Sequence, residues 1–401
     1  MRGGLLIVTM SVCLVAALLP IATFPALVPV FSAEWGLSNA QAGWISGVYY
    51  LGYMLAVPFL MSATDRVDAR LIFFAGATLS AAASFAYAEL VGGFWSAFIW
   101  RALAGVALAG VYMPGLRALT DRITHAEASR GVAAYVGGFS FGSGISFLVA
   151  GWAMEAYGWR GAFVAAALGP LAALLVSLPV LRSKPPSALR REGILVSFRR
   201  VLGNRTVLGY ILAYGTHNFE ALALRGWVVS LLVFSVAKNG AEASWSPTVI
   251  ATVLTILGLP GTLIGNELAI RLGRKRAIRF IMLESAAVAA LVGLCANGPY
   301  GLLVALVLLH GLSVPADAGA IVAGAVQASA PEVQGATMAL QASTGFGASF
   351  LGPLVVGIVL DLTGGAMSGP AWTAAFLVTA AVAALGPLTL RFGGPGDGER
   401  D

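Results

Sequence analysis

The chain has 401 residues, of which 58% are hydrophobic and only 10% are charged. Soluble proteins carry about 25% charged residues, so this composition excludes a soluble globular protein and indicates an integral membrane protein. The formal net charge of +6 would suit a nucleic-acid partner, but the distribution of the basic residues along the chain argues against one.

Twelve apolar stretches are long enough to be membrane helices, because about 20 apolar residues span a bilayer. They cover approximately residues 5–31, 41–63, 71–90, 94–116, 132–157, 161–181, 206–234, 248–270, 278–296, 300–326, 336–360 and 372–390. The predicted fold class is therefore an all-α membrane protein with twelve transmembrane helices. A basic cytoplasmic connector at 182–205 separates two pseudo-symmetric six-helix halves, 1–181 and 206–390, and the Gly-rich tail at 391–401 is predicted to be disordered.

The basic residues sort to one side of this arrangement. With the N-terminus placed inside the cell, 20 of the 24 Lys and Arg lie in cytoplasmic segments. Only Arg160 and Lys238 lie outside, and Arg101 and Arg225 lie within membrane helices. This pattern predicts a multi-pass protein of the cell inner membrane with both termini in the cytoplasm. It also accounts for the positive charge without any nucleic-acid partner.

The two halves repeat each other. The loop 65–70 after the second segment is answered by the basic loop 271–276 after the eighth. The pattern Gly-x3-acid-x2-Gly ends the fifth segment at 151–158 and the eleventh at 357–364. A duplicated six-helix unit with a long connector is typical of transporters built from two parallel halves around one central site.

The loop after the second segment resembles the signature of the major facilitator superfamily, Gly-x-x-x-Asp-Arg-x-Gly-Arg-Arg. Asp65, Arg66 and Arg70 match that signature, whereas Met61 and Asp68 stand where its two Gly belong. The resemblance implies that this loop acts as a cytoplasmic gate.

Three other stretches carry the same resemblance. The loop after the eighth segment keeps Arg271 and Arg274, which the resemblance assigns to the gate, but has Ile270 in place of the acid. Arg101-x3-Gly105 is similar to the fourth-helix motif of the family, and residues 158–163 are similar to its entry into helix six. The likeness covers residues 5–390 and implies a secondary transporter that works by alternating access.

Ionisable residues inside predicted membrane helices are candidate functional groups, since such residues are costly in lipid and functional by default. In the seventh segment His217 and Glu220 are three residues apart and share a helix face. A His titrates near pH 6.5, and burial disfavours a charged carboxylate, so either group can carry a proton. We predict a proton-coupling pair. The alternative is a hydrogen-bonded pair that braces the helix.

The tenth segment contains a helix break. Pro315 removes a backbone donor, and transporters build sites from acids beside such breaks. Asp317 is therefore predicted both to bind substrate and to act as a second proton-coupling acid. His310 lies earlier in the same segment and is either part of the site or a simple hydrogen-bonded core residue.

Two arginines cannot lose their protons inside the membrane, so each must face water, a carboxylate or an anionic substrate. We predict that Arg101 and Arg225 contact substrate, together with Tyr53 and Tyr112. The alternatives are a structural pair within the N-terminal half for Arg101 and snorkelling toward the nearby interface for Arg225.

These residues favour secondary active transport of a small polar or anionic organic solute, coupled to protons. Proton-driven efflux of amphipathic drugs or metabolites stays open, because aromatic residues that could line a large cavity are present: Tyr49, Tyr50, Tyr53, Tyr112, Phe139 and Phe141. A third possibility is a transporter-like sensor that moves no solute.

Other classes of function lack their motifs. The sequence has no phosphate-binding loop, no nucleophile and base at a recognisable spacing, and no cluster of Met, Cys and His. We therefore expect neither an ATP-driven pump, an enzyme nor a metal transporter, and no cofactor or metal. The expected partners are the solute, protons and membrane lipid, and the protein is expected to be a monomer.

Overall fold

The computed structural model describes residues 3–184, 186, 194–240 and 245–391. Its helices are α1 (Gly3–Ala17), α2 (Thr23–Trp35), α3 (Asn39–Ala63), α4 (Ala69–Leu90), α5 (Phe94–Thr120), α6 (His125–Val180), α7 (Ile194–Gly203), α8 (Arg205–Asn239), α9 (Pro247–Ile256), α10 (Gly258–Leu272), α11 (Arg274–Leu294), α12 (Tyr300–Ser313), α13 (Ala318–Gln327), α14 (Gln334–Thr363) and α15 (Gly369–Thr389), with 3-10 turns at Val314–Ala316 and Pro331–Val333. No β-strand occurs in these ranges. The predicted disordered tail and much of the connector lie outside the described residues.

The twelve predicted membrane segments are helical. Among the described residues, ten helical stretches are long and apolar enough to cross a membrane. One of them, α6, holds both the fifth and the sixth segments, which are separated by a break in the helix at Gly158. The φ of 71° at this glycine is rarely adopted by residues with a side chain. The first segment is divided between α1 and α2. The prediction of an all-α, multi-pass membrane protein is confirmed.

Proline marks two of the helix breaks. Between α1 and α2 the chain turns at residues 18–22, which include Pro20. Between α12 and α13 it passes through the 3-10 turn that contains Pro315. Proline cannot donate the backbone hydrogen bond that continues a helix, and its ring clashes with the preceding turn. Both breaks therefore leave backbone carbonyls available to other partners.

The chain forms two compact units. Unit 1 comprises Met1–Leu37, Trp44–Leu189 and Ser246–Ile256, and unit 2 comprises Ser38–Gly43, Arg190–Trp245 and Leu257–Asp401. The units differ from the predicted halves mainly at two helix beginnings, since the first turn of α3 packs within unit 2 and α9 packs within unit 1. The predicted domain boundaries themselves stay a prediction.

Aromatic side chains fill the core of each unit. In unit 1 the rings of Tyr87 and Phe163 stack at 3.8 Å between centroids, and Phe31 packs edge-on against Tyr87. In unit 2 Trp227 on α8 packs against Trp372 on α15 and donates a 2.8 Å hydrogen bond to the carbonyl of Pro353 on α14. These contacts fix α8 between two neighbouring helices.

Candidate functional site

The most buried of the ten membrane-length helices is α8. In its most apolar stretch 83% of the residues lie inside the protein, against at most 56% in the other nine. A helix in this position contacts protein rather than lipid along most of its surface. It can therefore carry His217, Glu220 and Arg225, which a lipid-facing helix could not.

His217 on α8 and Asp317 after the 3-10 turn are brought together in unit 2. The His217 Nδ1 and Asp317 Oδ1 atoms lie 2.7 Å apart, and the two residues are only 7% and 3% exposed. At this distance the two side chains form an ion pair whenever His217 is protonated and Asp317 is ionised. The Tyr214 ring lies nearly parallel to the imidazole, with 5.9 Å between centroids. One proton decides whether this buried pair is charged or neutral.

Glu220 has a different set of partners. Its Oε1 accepts a 2.7 Å hydrogen bond from Ser285 Oγ on α11 and lies 2.9 Å from His310 Nε2 on α12. His310 is fully buried and Glu220 is 3% exposed. The sequence grouped Glu220 with His217, but the structure gives each of them a partner on another helix. We call the set His217, Glu220, Ser285, His310 and Asp317 the His–carboxylate cluster.

The helix break at Pro315 places Asp317 in this cluster. The backbone carbonyl of Asp317 accepts a 2.9 Å bond from the N–H of Ile321 and so starts α13. Thr262 on α10 donates to the carbonyl of Pro315 at 3.2 Å, which satisfies one of the groups that the break exposes. The acid is thus held where one helix ends and the next begins.

Glycines let α10 approach the broken helix closely. A Cβ atom at Gly261 would overlap the carbonyl oxygen of Leu312, and one at Gly265 would overlap that of Ala316. The spacing of four between the two glycines puts both on one face of α10. Direct backbone contact along this face fixes the position of the break.

Arg225 lies beside the same break. A Cβ built on Gly258 would stand 3.8 Å from Arg225 Nη2 and 3.1 Å from Pro315 Cγ. Arg225 is half-buried, and its guanidinium group carries charge next to the start of α10. The predicted contact of Arg225 with substrate and its alternative, snorkelling to the interface, both stay open. Glu284 on α11 accepts a 2.9 Å bond from Ser313 at the end of α12.

Arg101 on α5 lies in unit 1 and is only 1% exposed. Its Nη1 donates to the carbonyl of Pro20 at 2.8 Å and its Nη2 to that of Ile21 at 3.1 Å. Its guanidinium carbon lies 4.4 Å from the centre of the Tyr49 ring. Within the described part of the chain no carboxylate lies at ion-pair distance from it. Arg101 therefore binds the break between α1 and α2 through two backbone carbonyls and the face of Tyr49.

The two tyrosines predicted to bind substrate also lie in unit 1. Tyr53 on α3 is fully buried, one turn after Tyr49. Tyr112 on α5 is partly buried and packs against Phe139 with 4.9 Å between ring centroids. Tyr53 thus follows the ring that stacks on Arg101 along the same face of α3.

The first predicted gate loop is tied to the end of α5. Asp65 Oδ1 accepts a 2.6 Å bond from Arg117 Nη1, and the same guanidinium atom donates to Thr64 Oγ1 at 2.7 Å. Arg66 is exposed. Asp65 is therefore bound to the end of α5, and its role in a gate stays a prediction.

Asp68, which replaces a family Gly, is the centre of a second network. It caps α4 by accepting from the N–H of Arg70 at 3.1 Å. It also accepts from Arg122 Nη2 at 2.7 and 2.9 Å and from the N–H of Lys184 at 2.7 Å. Burial opposes ionisation, but these hydrogen bonds outweigh it and hold the pKa of Asp68 below its usual range. The network joins the start of α4 to the ends of α5 and α6.

The second copy of the gate loop is more exposed. Arg271 Nε lies 2.6 Å from Glu267 Oε1, an i,i+4 pair whose two side chains are 72% and 53% exposed. Arg274 Nη1 donates to Gln327 Oε1 at 2.6 Å. Such exposed pairs contribute little to stability, so the two copies differ in how firmly they are held.

Some functional candidates could not be found from the sequence. Ser285 is one serine among many small residues of α11. In the sequence, Arg117 and Arg122 contribute only to the excess of basic residues in the predicted cytoplasmic segments. Their roles depend on which helices pack together. His310 carried a signal, a histidine inside an apolar run, but its partner Glu220 lies 90 residues away.

Together the fold and the buried ionisable groups are those of a polytopic membrane protein. The sequence model of the Major Facilitator Superfamily matches residues 5–237, more than half of the chain. The chain belongs to this family, which makes it a membrane transporter rather than an enzyme. No curated protein matches it by sequence.

Solved structures share the fold over nearly the whole chain. A bacterial homologue of the human lysosomal transporter Spinster, inward-facing and unoccupied, has a TM-score of 0.78 at 15% identity, covering 98% of this chain and 97% of its own. The occupied inward-facing form has a TM-score of 0.72 at 16% identity, with 97% and 94% covered. A mutant of the nucleoside transporter NupG has a TM-score of 0.78 at 13% identity, with 96% and 99% covered. At these identities the likeness concerns the fold alone.

Proposed function

We propose that this transporter moves a small polar or anionic organic solute by secondary active transport, coupled to protons, through alternating access. The observation that carries the proposal is the His–carboxylate cluster of unit 2. Two buried pairs, His217 with Asp317 and Glu220 with His310, each join α8 to the tenth segment or its break. Ionisable groups are rarely placed inside a membrane helix without a function.

The cluster can couple a proton to a change of conformation. A charged carboxylate is stable where water reaches it and costly where the site is dry, so a closing site favours the neutral acid. If one conformation wets the Asp317 or Glu220 carboxylate and another dries it, a proton binds on one side of the cycle and leaves on the other. Differential stability of the protonated form in the two states is all that coupling requires.

Arg101 supports a solute with negative or acceptor character. It is fully buried, it keeps its charge, and within the described residues its polar contacts are backbone carbonyls and a tyrosine face. A carboxylate on the solute would compensate this charge with charge-assisted hydrogen bonds. Tyr53 and Tyr112 are proposed as further contacts, with Arg225 and Asp317 as solute contacts in unit 2.

The gate is proposed to include Asp65, Arg66 and Arg70 with Arg271 and Arg274 of the second copy. We further propose that the protein acts as a monomer in the cell inner membrane with both termini in the cytoplasm. The excess of basic residues in the segments on that side supports this orientation.

Reconstitution tests the proposal. Purified protein in vesicles loaded with a pH-sensitive dye is given a panel of mono- and dicarboxylic acids, nucleosides and the cationic dye ethidium, with and without an inward proton gradient. We expect an organic acid to acidify the lumen and to accumulate only when the gradient is present. Transport of ethidium in place of the acids would favour drug efflux, and binding without transport of any compound would favour a sensor.

A further inference from the structure

We propose that Asp361 is a latch that holds the start of α3 against the end of α14, at the end of α3 opposite the Asp65 loop. Its Oδ1 accepts from the backbone N–H of Asn39 at 2.9 Å and from Asn39 Nδ2 at 2.7 Å. Its Oδ2 accepts from the backbone N–H of Ala40 at 2.8 Å. A carboxylate from one helix thus caps the N-terminus of another that precedes it by more than 300 residues.

The first turn of α3 depends on this carboxylate for its hydrogen bonds. The first N–H groups of a helix have no partner within the helix, and they carry partial positive charge. Ser38 and Gln41 satisfy each other, since Ser38 Oγ accepts from the N–H of Gln41 and Gln41 Oε1 accepts from the N–H of Ser38. This capping box leaves the N–H groups of Asn39 and Ala40, and these are the two that Asp361 accepts.

Close backbone contact reinforces the latch. A Cβ at Gly357, one turn before Asp361, would overlap the carbonyl oxygen of Asn39. A Cβ at Gly43 would overlap that of Pro353. The first turn of α3 packs within unit 2, whereas the rest of α3 packs within unit 1. Any movement that separates α3 from α14 at this end must therefore break the Asp361 hydrogen bonds.

The repeated Gly-x3-acid-x2-Gly motif gives this arrangement a second copy. Gly151 is the counterpart of Gly357, and a Cβ there would overlap Thr248 Oγ1 at the start of α9. In both copies the first glycine of the motif lies against the first turn of another helix. Glu155 stands at the position of Asp361 and is exposed. The latch proposed here concerns the Asp361 copy.

Accessibility of the first turn of α3 tests the latch without any solute, so its outcome is independent of the proposed substrate and coupling ion. A cysteine replaces buried Ala42 (Ala42→Cys) in a Cys13→Ser, Cys295→Ser background, and its reaction with a maleimide is timed in purified protein. Asp361→Asn removes the charge and replaces one acceptor oxygen with a donor, so it should increase the labelling rate by roughly 5- to 30-fold, the range expected for loss of one charge-assisted hydrogen bond. Glu89→Gln, an exposed acid at the end of α4, should leave the rate unchanged.

Two further comparisons separate local opening from damage to the fold. Gly357→Ala should reproduce the effect of Asp361→Asn, while Gly335→Ala on the same helix, with open space around it, should not. If the Asp361→Asn protein does not fold, the comparison of these two glycine variants tests the latch instead. Native Cys13, which is 1% exposed, reports global unfolding in a Cys295→Ser chain. Equal labelling of position 42 with and without Asp361, or an equal increase at Cys13, would overturn the latch.

Discussion

His217 Nδ1 on α8 lies 2.7 Å from Asp317 Oδ1 at the helix break, and both side chains are more than nine-tenths buried. Neither residue could stay charged in this place alone, since a buried charge without a partner is strongly destabilising. The two residues therefore depend on each other, and the stability changes caused by replacing each of them should not be additive.

A double-mutant cycle measures this dependence. Asp317→Asn or His217→Gln alone leaves one buried ionisable group without its partner, and we expect each to cost roughly 3–5 kcal/mol of stability. The double variant should cost clearly less than the sum of the two, because neither charge remains. Thermal unfolding in detergent at fixed pH gives the comparison. Additive losses would mean that the pair is a packing contact and not an ion pair.

Asp68 gives a prediction about pH. Its carboxyl has a pKa below the usual range in the folded protein, so its contribution is fully present above the unfolded-state value of about 3.9. That contribution is lost as the pH falls through the lower, folded-state pKa. Asp68→Asn should therefore lower stability by roughly 1.5–3 kcal/mol at neutral pH, with the difference from the unsubstituted protein shrinking in acid. Melting temperatures of both proteins between about pH 2 and 7 check this, with Glu89→Gln as the control; a difference that stays constant down to the lowest pH would contradict it.

The helices could be predicted from the sequence because a bilayer imposes a simple length rule. About 20 apolar residues are needed for each crossing. The helix break that precedes Asp317 could be predicted from Pro315. The first segment could be located in the same way, although its division into α1 and α2 by the turn at residues 18–22 was not predicted.

The partners of the ionisable residues could not be predicted in this way. Helix periodicity places His217 and Glu220 on one face but does not say which helices that face meets. Glu220 finds Ser285 and His310 on two different helices, and this follows from packing, which depends on every interhelical contact at once. For the same reason the contacts of Asp361 with Asn39 and Ala40 could not be predicted, although the motif that contains Asp361 could be recognised as a repeat.

Orientation in the membrane can be tested by cysteine labelling. The distribution of basic residues predicts that a cysteine replacing Lys238 is reached from outside the cell, and that one replacing Arg191 is not. Intact cells that express Cys13→Ser, Cys295→Ser chains are treated with a membrane-impermeant maleimide, and permeabilised cells show that both positions can react. Labelling of intact cells at Arg191→Cys would reverse the proposed orientation.

Arg101 can act on the solute, on the helix break, or on both. Arg101→Lys keeps the charge but loses the planar fork that reaches the carbonyls of Pro20 and Ile21. If the guanidinium group also grips a carboxylate, the affinity for the acid found by the uptake panel should fall about tenfold, the loss of about 1.4 kcal/mol. Ser146→Ala is the matched control, because Ser146 Oγ accepts from the N–H of Ala22 in the same break. It should lower the melting temperature and leave affinity unchanged; equal affinities in all three proteins would make Arg101 purely structural.

Glu220 gives the sharpest test of proton coupling. Glu220→Gln mimics the protonated acid, can still accept from Ser285, and removes titration at this position. We expect accumulation driven by a pH gradient to be lost, with binding and solute exchange retained, because these do not require net proton movement. Glu284→Gln is the matched control, since Glu284 lies on the same helix as Ser285 and accepts a hydrogen bond from Ser313, and it should keep accumulation. If Glu220→Gln vesicles still accumulate solute with unchanged pH dependence, the coupling ion binds elsewhere, and the bonds from Glu220 to Ser285 and His310 serve to brace α8 against α11 and α12.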